Sequence, residues 1–227
     1  MGYTMVLDPS RGTKFYRNSN DPLHIHLSIP QKGSTAKILL IHGEHIAIQK
    51  VNLQTEIIPI SPHQEYLLAN LSQFTLTIEF DHDPNMHEIL FDPYRYEQNP
   101  YGIIDPEEFR NSQIVPDGYM DILPKWYSIK FTYPTRNLIY IRPQLGLSIQ
   151  AHRKRTEDWK VIQGHPLVIA NSRIHYSVHP GDTFHTEIGK FHAIFNNTNS
   201  WAVIEEHYSG KFEEEDIIRV FNPNHYH

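Results

Sequence analysis

Short runs of alternating polar and apolar residues, separated by turn residues, are the feature that most limits what this chain can fold into. Between Leu23 and His207 such runs recur at intervals of roughly 8 to 12 residues, which is typical of β-sandwiches and β-barrels. The clearest helical pattern is brief, since Asp105 can cap a helix over Pro106 to Asn111 with acidic residues in its first turn. The sequence therefore predicts an all-β protein with little helix.

The strand pattern is interrupted in the middle of the chain. From Phe91 to Pro124 the residues are mainly Asp, Pro, Tyr, Gly and Asn, which indicates a long connection between two β units. We predict a β-rich N-terminal domain of unknown role over residues 1–95, a connecting segment over 96–125 and a second β domain over 126–227.

The composition excludes several classes of function. With no cysteine in 227 residues, the chain offers no disulfide, no thiolate nucleophile and no sulfur ligand to a metal. A net charge of -6 gives no general attraction to nucleic acid or to anionic lipid, so neither partner is expected. No apolar run has the length of a signal peptide or of a membrane-spanning helix, and we expect a cytoplasmic protein.

A group of potential metal ligands falls in the second domain. Gln150 and His152 are two residues apart in a β-like run, so their side chains share a face. Glu157 lies five residues further on, and it rejoins that face if the chain turns through Arg153 to Thr156 as a hairpin with a basic tip. With His192, these residues supply one carboxylate and three neutral donors, which suits Zn²⁺ or another divalent cation.

The spacing of these residues resembles the paired motifs of the cupin superfamily, G-x5-H-x-H-x(3,4)-E-x6-G and G-x5-P-x-G-x2-H-x3-N. Gln144 stands where the first motif opens with Gly, and Glu187 stands where the second has Pro. Gln150 stands where the first motif has its first His. The remaining motif positions are matched by His152, Glu157, Gly164, Gly181, Gly189, His192 and Asn196.

Two further strings resemble the isomerase domain of type II mannose-6-phosphate isomerases. The string Q-x-H-x-x-R-x-E-x-W runs from Gln150 to Trp159, and I-E followed by E-D-I-I-R is similar to that family's closing I-E-x-Q and D-D-I-V-R. The resemblance covers only the C-terminal half, from about Asn137 to Arg219. Arg153 and Lys154 depart from the pattern because the family usually has His there, and His207 replaces the closing Gln.

The resemblance implies a cupin barrel, which is a jelly roll or double-stranded β-helix, in the second domain. A degenerate cupin, which would make the chain a bicupin, is one alternative for the first domain. The implied activity is that of a metal-dependent aldose-ketose isomerase that interconverts mannose 6-phosphate and fructose 6-phosphate, and a homodimer is expected. Zinc is the favoured metal, with manganese, cobalt, nickel or iron as alternatives. The implied metal ligands are Gln150, His152, Glu157 and His192.

The basic residues near these ligands are candidates for binding the small-molecule sugar phosphate. We expect Arg153, Arg155 and Arg219 to contact the phosphate, although Arg219 alternatively pairs with Asp216. Arg155 and Lys154 are the candidate catalytic residues, and the general base is open between Lys154 and a metal-bound hydroxide. Two other functions remain open, a non-catalytic sugar- or sugar-phosphate-binding cupin and an iron-dependent cupin oxygenase.

The remaining histidines and acidic residues are expected to have structural roles. His225 and His227 belong to a frayed end, and the acidic run Glu213 to Asp216 should be a solvated helix start or turn. Histidines of the first domain without a following cupin ligand set are expected to be ordinary strand residues, and these are His24, His26, His42 and His45.

Overall fold

The structure is a computed structural model of the protein, and it describes residues 2–29, 34–52, 55–211 and 214–224. The chain divides into two compact units, Met1–Asp92 and Pro93–His227. Strands dominate both units, so the expected all-β class is confirmed. Within the described residues we find no helix with the length and apolar character needed to cross a membrane.

The first unit is built from antiparallel strands. One sheet has the order β1-β8-β3-β6, and a second set runs β5-β4-β7-β2-β9. A 3-10 helix, Pro84–Met86, precedes β9. The strands are β1 (Tyr3–Leu7), β2 (Phe15–Arg17), β3 (Leu23–Ser28), β4 (Ala36–His42), β5 (His45–Val51), β6 (Thr55–Ile60), β7 (Glu65–Asn70), β8 (Leu76–Phe80) and β9 (Glu88–Phe91).

One apolar core joins the two sheets of the first unit. Alternate residues of β3, Leu23, Ile25 and Leu27, are fully buried, as the two-residue repeat of a strand requires. They belong to the same core as Ile38 and Leu40 of β4, which lie on the other sheet. The first unit is therefore a pair of sheets packed face to face.

The second unit contains one helix, α1 (Pro106–Ser112), and the remaining strands of the described chain. A six-stranded sheet has the order β10-β11-β12-β19-β14-β17, β13 pairs with β20, and β15 pairs with both β16 and β18. The strands are β10 (Asp121–Pro124), β11 (Ser128–Thr132), β12 (Asn137–Ile141), β13 (Ile149–His152), β14 (Arg155–Gln163), β15 (Leu167–Ala170), β16 (Arg173–His175), β17 (Thr183–Thr186), β18 (Ala193–Phe195), β19 (Ala202–Gly210) and β20 (Ile217–Phe221).

The predicted helix and its cap are confirmed. The Asp105 carboxylate accepts hydrogen bonds from the backbone N–H groups of Glu107 and Glu108, both at 2.9 Å. Phe109 of α1 packs against Phe131 and Tyr140, so the helix covers one face of β11 and β12. Residues 96–125, assigned to a connection from the sequence, thus contain α1 and β10 and belong to the second unit.

The opposite face of the same sheet points into the barrel. Ile139 and Ile141 of β12 pack there with Val168 of β15 and Ile194 of β18. The interior therefore lies between the six-stranded sheet and the smaller group of strands, and the side chains of the cupin motifs project toward it.

Candidate metal centre

Three of the side chains predicted as ligands meet inside the second unit. His152 ends β13, Glu157 lies near the start of β14, and His192 directly precedes β18. Their exposed fractions are 2%, 3% and 0%, and one ligand atom from each lies within 4.8 Å of the others. Nε2 of His152 is 2.8 Å from Oε1 of Glu157, and Nε2 of His192 is 3.4 Å from Oε2 of Glu157. The structure thus presents a candidate metal centre of two imidazoles and one carboxylate.

Backbone hydrogen bonds bring His192 next to Gln150 and His152, which are distant from it in sequence. The N–H and C=O groups of Gln150 and His192 bond reciprocally at 3.1 and 2.9 Å, and the Gly189 N–H donates to the His152 carbonyl at 2.7 Å. Gly189 has a φ of 77°, which residues with a side chain rarely adopt. The turn before β18 is therefore tied to β13, and this places His192 beside His152.

Gln150, the fourth predicted ligand, lies beside this group. Its Nε2 is 3.4 Å from Nε2 of His192, and its Oε1 accepts a hydrogen bond from Ser148 Oγ at 3.0 Å. The side chain is half-buried. Gln150 is thus near enough to complete a ligand set, and its role as a ligand stays a prediction.

Arg155 lies inside the centre and not on a basic rim. The expected hairpin is wrong, because β13 pairs with β20 while β14 pairs with β17 and β19. Arg155 is 4% exposed, its Nε donates to Oε1 of Glu157 at 3.1 Å, and its Nη2 is 3.0 Å from Nε2 of His152. The guanidinium therefore neutralises the ligand carboxylate. Arg153 and Lys154 form the exposed turn between the two strands.

Asp216 is a buried member of the same cluster, although we expected its acidic run to be solvated. Residues Glu214–Asp216 form a 3-10 turn, and Asp216 is 2% exposed. Its Oδ1 accepts a hydrogen bond from the Arg153 backbone N–H at 2.7 Å, and its Oδ2 lies 3.7 Å from Nδ1 of His152. This separation is longer than a hydrogen bond, so Asp216 acts on the His152 ring through its charge. Nothing in an acidic run indicates which member turns inward.

The electrostatics of the centre keep its carboxylate charged and an imidazole neutral. Burial by itself raises the pKa of Glu157, but the hydrogen bond with His152 and the charges of His192, His152 and Arg155 outweigh burial and hold this pKa at about 2. Burial lowers the pKa of His192 to about 4, against the opposing effect of the Glu157 charge. A deprotonated carboxylate and a neutral imidazole are the forms that bind metals.

The donor set fits a divalent cation. Oε2 of Glu157 is buried and accepts no hydrogen bond from the described residues, which is unfavourable for a carboxylate oxygen unless another partner is present. Two histidines and one carboxylate with further open positions are a common ligand set of catalytic metal sites. His152, Glu157 and His192 are therefore the residues of this unit that would hold a divalent metal, with Gln150 next to them.

A cavity of about 370 Å³ adjoins the candidate centre. Of the residues predicted to bind phosphate, Arg155 and Arg219 line it, whereas Arg153 is not part of its wall in the described chain. The same holds for Lys154, the candidate catalytic residue. Its polar lining residues are Lys125, Tyr127, Ser128, Lys130, Ser148, Gln150, Arg155, Glu157, Glu206 and Arg219.

The sequence motifs did not identify Lys125, Lys130 or Glu206. Alternation along β11 contained the information for Lys130, because Ile129 and Phe131 pack toward α1 while Lys130 lines the cavity. The apolar face of this strand is the outer one. The usual assumption that the apolar face of a strand points into the barrel would therefore place Lys130 in solvent, whereas it lines the cavity.

The other histidines occupy structural positions in the first unit. His24 is exposed and lies 3.0 Å from Asp81, and Nε2 of His42 lies 3.1 Å from the Pro59 carbonyl oxygen. His26 and His45 lie on β3 and β5. The expectation for His225 and His227 falls outside the described residues, as does Glu213.

Comparison with known families fits the geometry of the centre. Residues 127–222 match the family described as mannose-6-phosphate isomerase C-terminal, and this segment contains all four predicted ligands. The second unit therefore has a cupin fold, and residues 127–222 of it are similar to this family. The first unit, Met1–Asp92, lies outside the matched residues. No curated protein matches the chain.

Solved structures give only a distant likeness. The chain is similar to a mutant of Bacillus subtilis oxalate decarboxylase, at 9% identity and a TM-score of 0.37, over 96% of this chain and 70% of that chain. It is also similar to the formate complex of Lactobacillus farciminis oxalate decarboxylase, at 14% identity and a TM-score of 0.38, over 96% of this chain and 78% of that chain. TM-scores this low carry no argument about the activity of the chain.

Proposed function

We propose that the cupin unit is a metal-dependent aldose-ketose isomerase for a sugar phosphate, of the mannose 6-phosphate and fructose 6-phosphate type. The observation that carries the proposal is that the His152, Glu157 and His192 centre adjoins a cavity with several cationic side chains. The cavity volume of about 370 Å³ falls in the range of small-molecule sites, roughly 300–1,000 Å³.

The metal that we favour is zinc, held by His152, Glu157 and His192 with Gln150 as a fourth neutral ligand. When bound, a divalent metal supplies a Lewis acid that stabilises negative charge on the oxygens of an enediol-forming substrate. The hydrogen bond with His152, and then the nearby charges that include Arg155, hold the pKa of Glu157 low, and Asp216 places a negative charge 3.7 Å from Nδ1 of His152.

Three cationic side chains of the cavity would bind the phosphate of the substrate, namely Lys125, Lys130 and Arg219. Charge-assisted hydrogen bonds from Lys and Arg to phosphate are among the strong ones. Arg219 keeps the phosphate role predicted from the sequence, whereas Lys125 and Lys130 replace Arg153, which is not among the cavity residues, and Arg155, which is engaged by Glu157. Lys154 lies in the same exposed turn as Arg153. That position argues against Lys154 as the proton-transfer group.

One observation favours a second candidate, a non-catalytic sugar-phosphate-binding cupin. The Arg155 guanidinium is 3.1 Å from Oε1 of Glu157, so the Glu157 carboxylate has a cationic partner in the metal-free protein. In that case the cavity cations alone would recognise the phosphate. Metal content and turnover distinguish the two functions.

The test is a coupled isomerase assay with mannose 6-phosphate on metal-stripped protein, with zinc, manganese or cobalt added back. Wild type is compared with Glu157→Gln, His192→Ala and the control His185→Ala. His185 lies on β17 of the same unit but is exposed and pairs with Asp158. Metal content is measured by mass spectrometry in parallel.

We expect one metal per chain and metal-dependent turnover in wild type and His185→Ala, and a loss of both in the two ligand variants. Stoichiometric metal without turnover on any hexose phosphate would contradict the isomerase. Binding of mannose 6-phosphate to metal-free protein, measured by calorimetry, would then support the binding protein.

A further inference from the structure

Glu206 is a buried carboxyl group that no motif identifies. It lies on β19, where Ala202 and Ile204 are buried in the barrel core, and the two-residue repeat of the strand directs Glu206 to the same side. It is 9% exposed and lines the cavity beside Glu157. Glu206 stands at the x position of the closing I-E-x-Q motif, so the motif does not specify a carboxyl group there.

The carboxyl group of Glu206 is held in place by a neutral partner. Oε2 of Glu206 accepts a hydrogen bond from Nδ2 of Asn137 at 2.7 Å, and Asn137 is itself buried. The two residues are directly opposite each other on β19 and β12, and Trp159 is opposite Glu206 on β14. These contacts fix the position of the carboxyl group at the cavity wall. A group that reacts with a substrate atom must be held in place in this way.

The environment of Glu206 favours proton uptake. Burial, and then the negative charge of Glu157, raise the pKa of Glu206, while Asn137, Lys130 and Trp159 oppose this rise. A carboxyl group with a raised pKa is a more effective general base and acid than an exposed one. Glu157 does not share this property, because its pKa is held at about 2.

We propose that Glu206 is the proton-transfer residue of the isomerisation, an inference that rests on the proposed function. Its carboxylate takes the proton from C2 of the open-chain aldose phosphate while C1=C2 forms and the carbonyl oxygen O1 gains a proton from water, which gives an enediol. The Glu206 carboxylic acid then returns its proton to C1, O2 releases its proton to water, and C2=O2 forms. No oxidant or co-reactant is needed. Glu157 and Glu206 are the carboxylates that line the described cavity, and Glu157 is engaged by Arg155 and His152.

The test compares Glu206→Gln with a matched control, Glu205→Gln. Glu205 is the preceding residue, points to the other side of β19 and pairs with Arg136 at 2.7 Å. Each purified holoprotein is assayed for turnover of mannose 6-phosphate, for deuterium uptake from D₂O into the C1 and C2 positions, for metal content and for mannose 6-phosphate affinity. A third variant, Glu206→Asp, retains a carboxyl group at a shorter reach.

We expect Glu206→Gln to lose about 10²–10⁴-fold in turnover and in deuterium uptake, the range for a general base. Metal content and substrate affinity should stay at wild-type values, Glu205→Gln should exchange like wild type, and Glu206→Asp should retain part of the exchange. Glu206→Gln should also unfold at a higher denaturant concentration in metal-free protein, because a buried charge beside Glu157 is removed.

Two results would overturn this role while leaving the proposed function intact. The first is wild-type turnover in Glu206→Gln, and the second is a loss of metal together with turnover, which would make Glu206 a ligand. Wild-type protein that binds metal but neither turns over nor exchanges any hexose phosphate would overturn the proposed function and the role of Glu206 with it.

Discussion

Replacing Arg155 by Met tests whether this side chain neutralises the centre when no metal is bound. Arg155 and Glu157 are 4% and 3% exposed, and Nε of Arg155 is 3.1 Å from Oε1 of Glu157. Water screens such a pair little, and removing one partner leaves an uncompensated buried charge. Breaking a buried pair in this way typically costs about 3–5 kcal/mol. We expect the free energy of unfolding of the metal-free second unit to fall by about this amount.

The matched control is Arg136→Met. Arg136 pairs with Glu205 at 2.7 Å, but the two side chains are 37% and 17% exposed, so we expect a loss of only about 0–1 kcal/mol. The assay is denaturant unfolding followed by tryptophan fluorescence. All three tryptophans, Trp126, Trp159 and Trp201, lie in the second unit, so the fluorescence reports on that unit.

Zinc adds a second arm to the same experiment. Removing a cation that lies 3.0 Å from Nε2 of His152 should strengthen zinc binding, so saturating zinc should reduce the deficit of Arg155→Met relative to wild type. Zinc should leave the difference between Arg136→Met and wild type unchanged. The reasoning is refuted if metal-free Arg155→Met is destabilised no more than metal-free Arg136→Met.

Three further predictions concern the same unit. In metal-free protein the free energy of unfolding should fall by up to about 3 kcal/mol as the pH drops from about 6.5 to about 4, because the pKa of His192 is lowered to about 4 and the unfolded state therefore takes up the proton first. A further loss should follow toward pH 2, since the pKa of Glu157 is held at about 2, and a flat profile from pH 7 to pH 4 in urea melts would contradict this. Asn196→Ala should lose about 2–3 kcal/mol in the same melts, because Nδ2 of Asn196 donates to the carbonyls of Ile141 and Arg142 at 3.0 Å and of Ser200 at 2.8 Å, whereas exposed Asn199→Ala should change little. Asp216→Asn should weaken zinc affinity about 10–100-fold in calorimetry, because it removes a buried negative charge 3.7 Å from Nδ1 of His152, and unchanged affinity would exclude a role for that charge in metal binding.

Residues of the metal centre could be predicted from the sequence because their spacing matches the cupin motifs, and local geometry accounts for part of that spacing. Gln150 and His152 share a face of one strand, and the turn that ends at Gly189 fixes where His192 enters the barrel. The hairpin prediction failed because strand pairing is not local. β13 pairs with β20, which places Gln150 opposite Arg219, and no pattern within residues 150–157 indicates that partner.

Gln144 shows how a departure from a motif can keep the backbone of the motif. It stands where the cupin pattern has Gly, and it adopts a φ of 60°, in the left-handed region that favours Gly. Such a conformation costs a non-glycine residue free energy. The Gln144 side chain donates from Nε2 to the Asn197 carbonyl at 2.9 Å, and this contact offsets part of the cost. The replacement of Gly by Gln144 therefore keeps the turn of the motif, and the new hydrogen bond offsets part of its conformational cost.

Charge in the interior of the second unit gives the strongest argument for a metal. Among the described residues, the buried side chains of the Arg, Lys, Asp and Glu types are Arg155, Glu157, Glu206 and Asp216. One guanidinium cannot balance three carboxylates, and burial disfavours any charge left over. The raised pKa of Glu206 reflects this imbalance in the metal-free protein, since burial and the negative charge of Glu157 are its main causes. A divalent cation beside Glu157 would supply the two positive charges that, with Arg155, balance the three carboxylates. The buried charges thus link the metal site and the proposed proton-transfer residue as parts of one electrostatic unit.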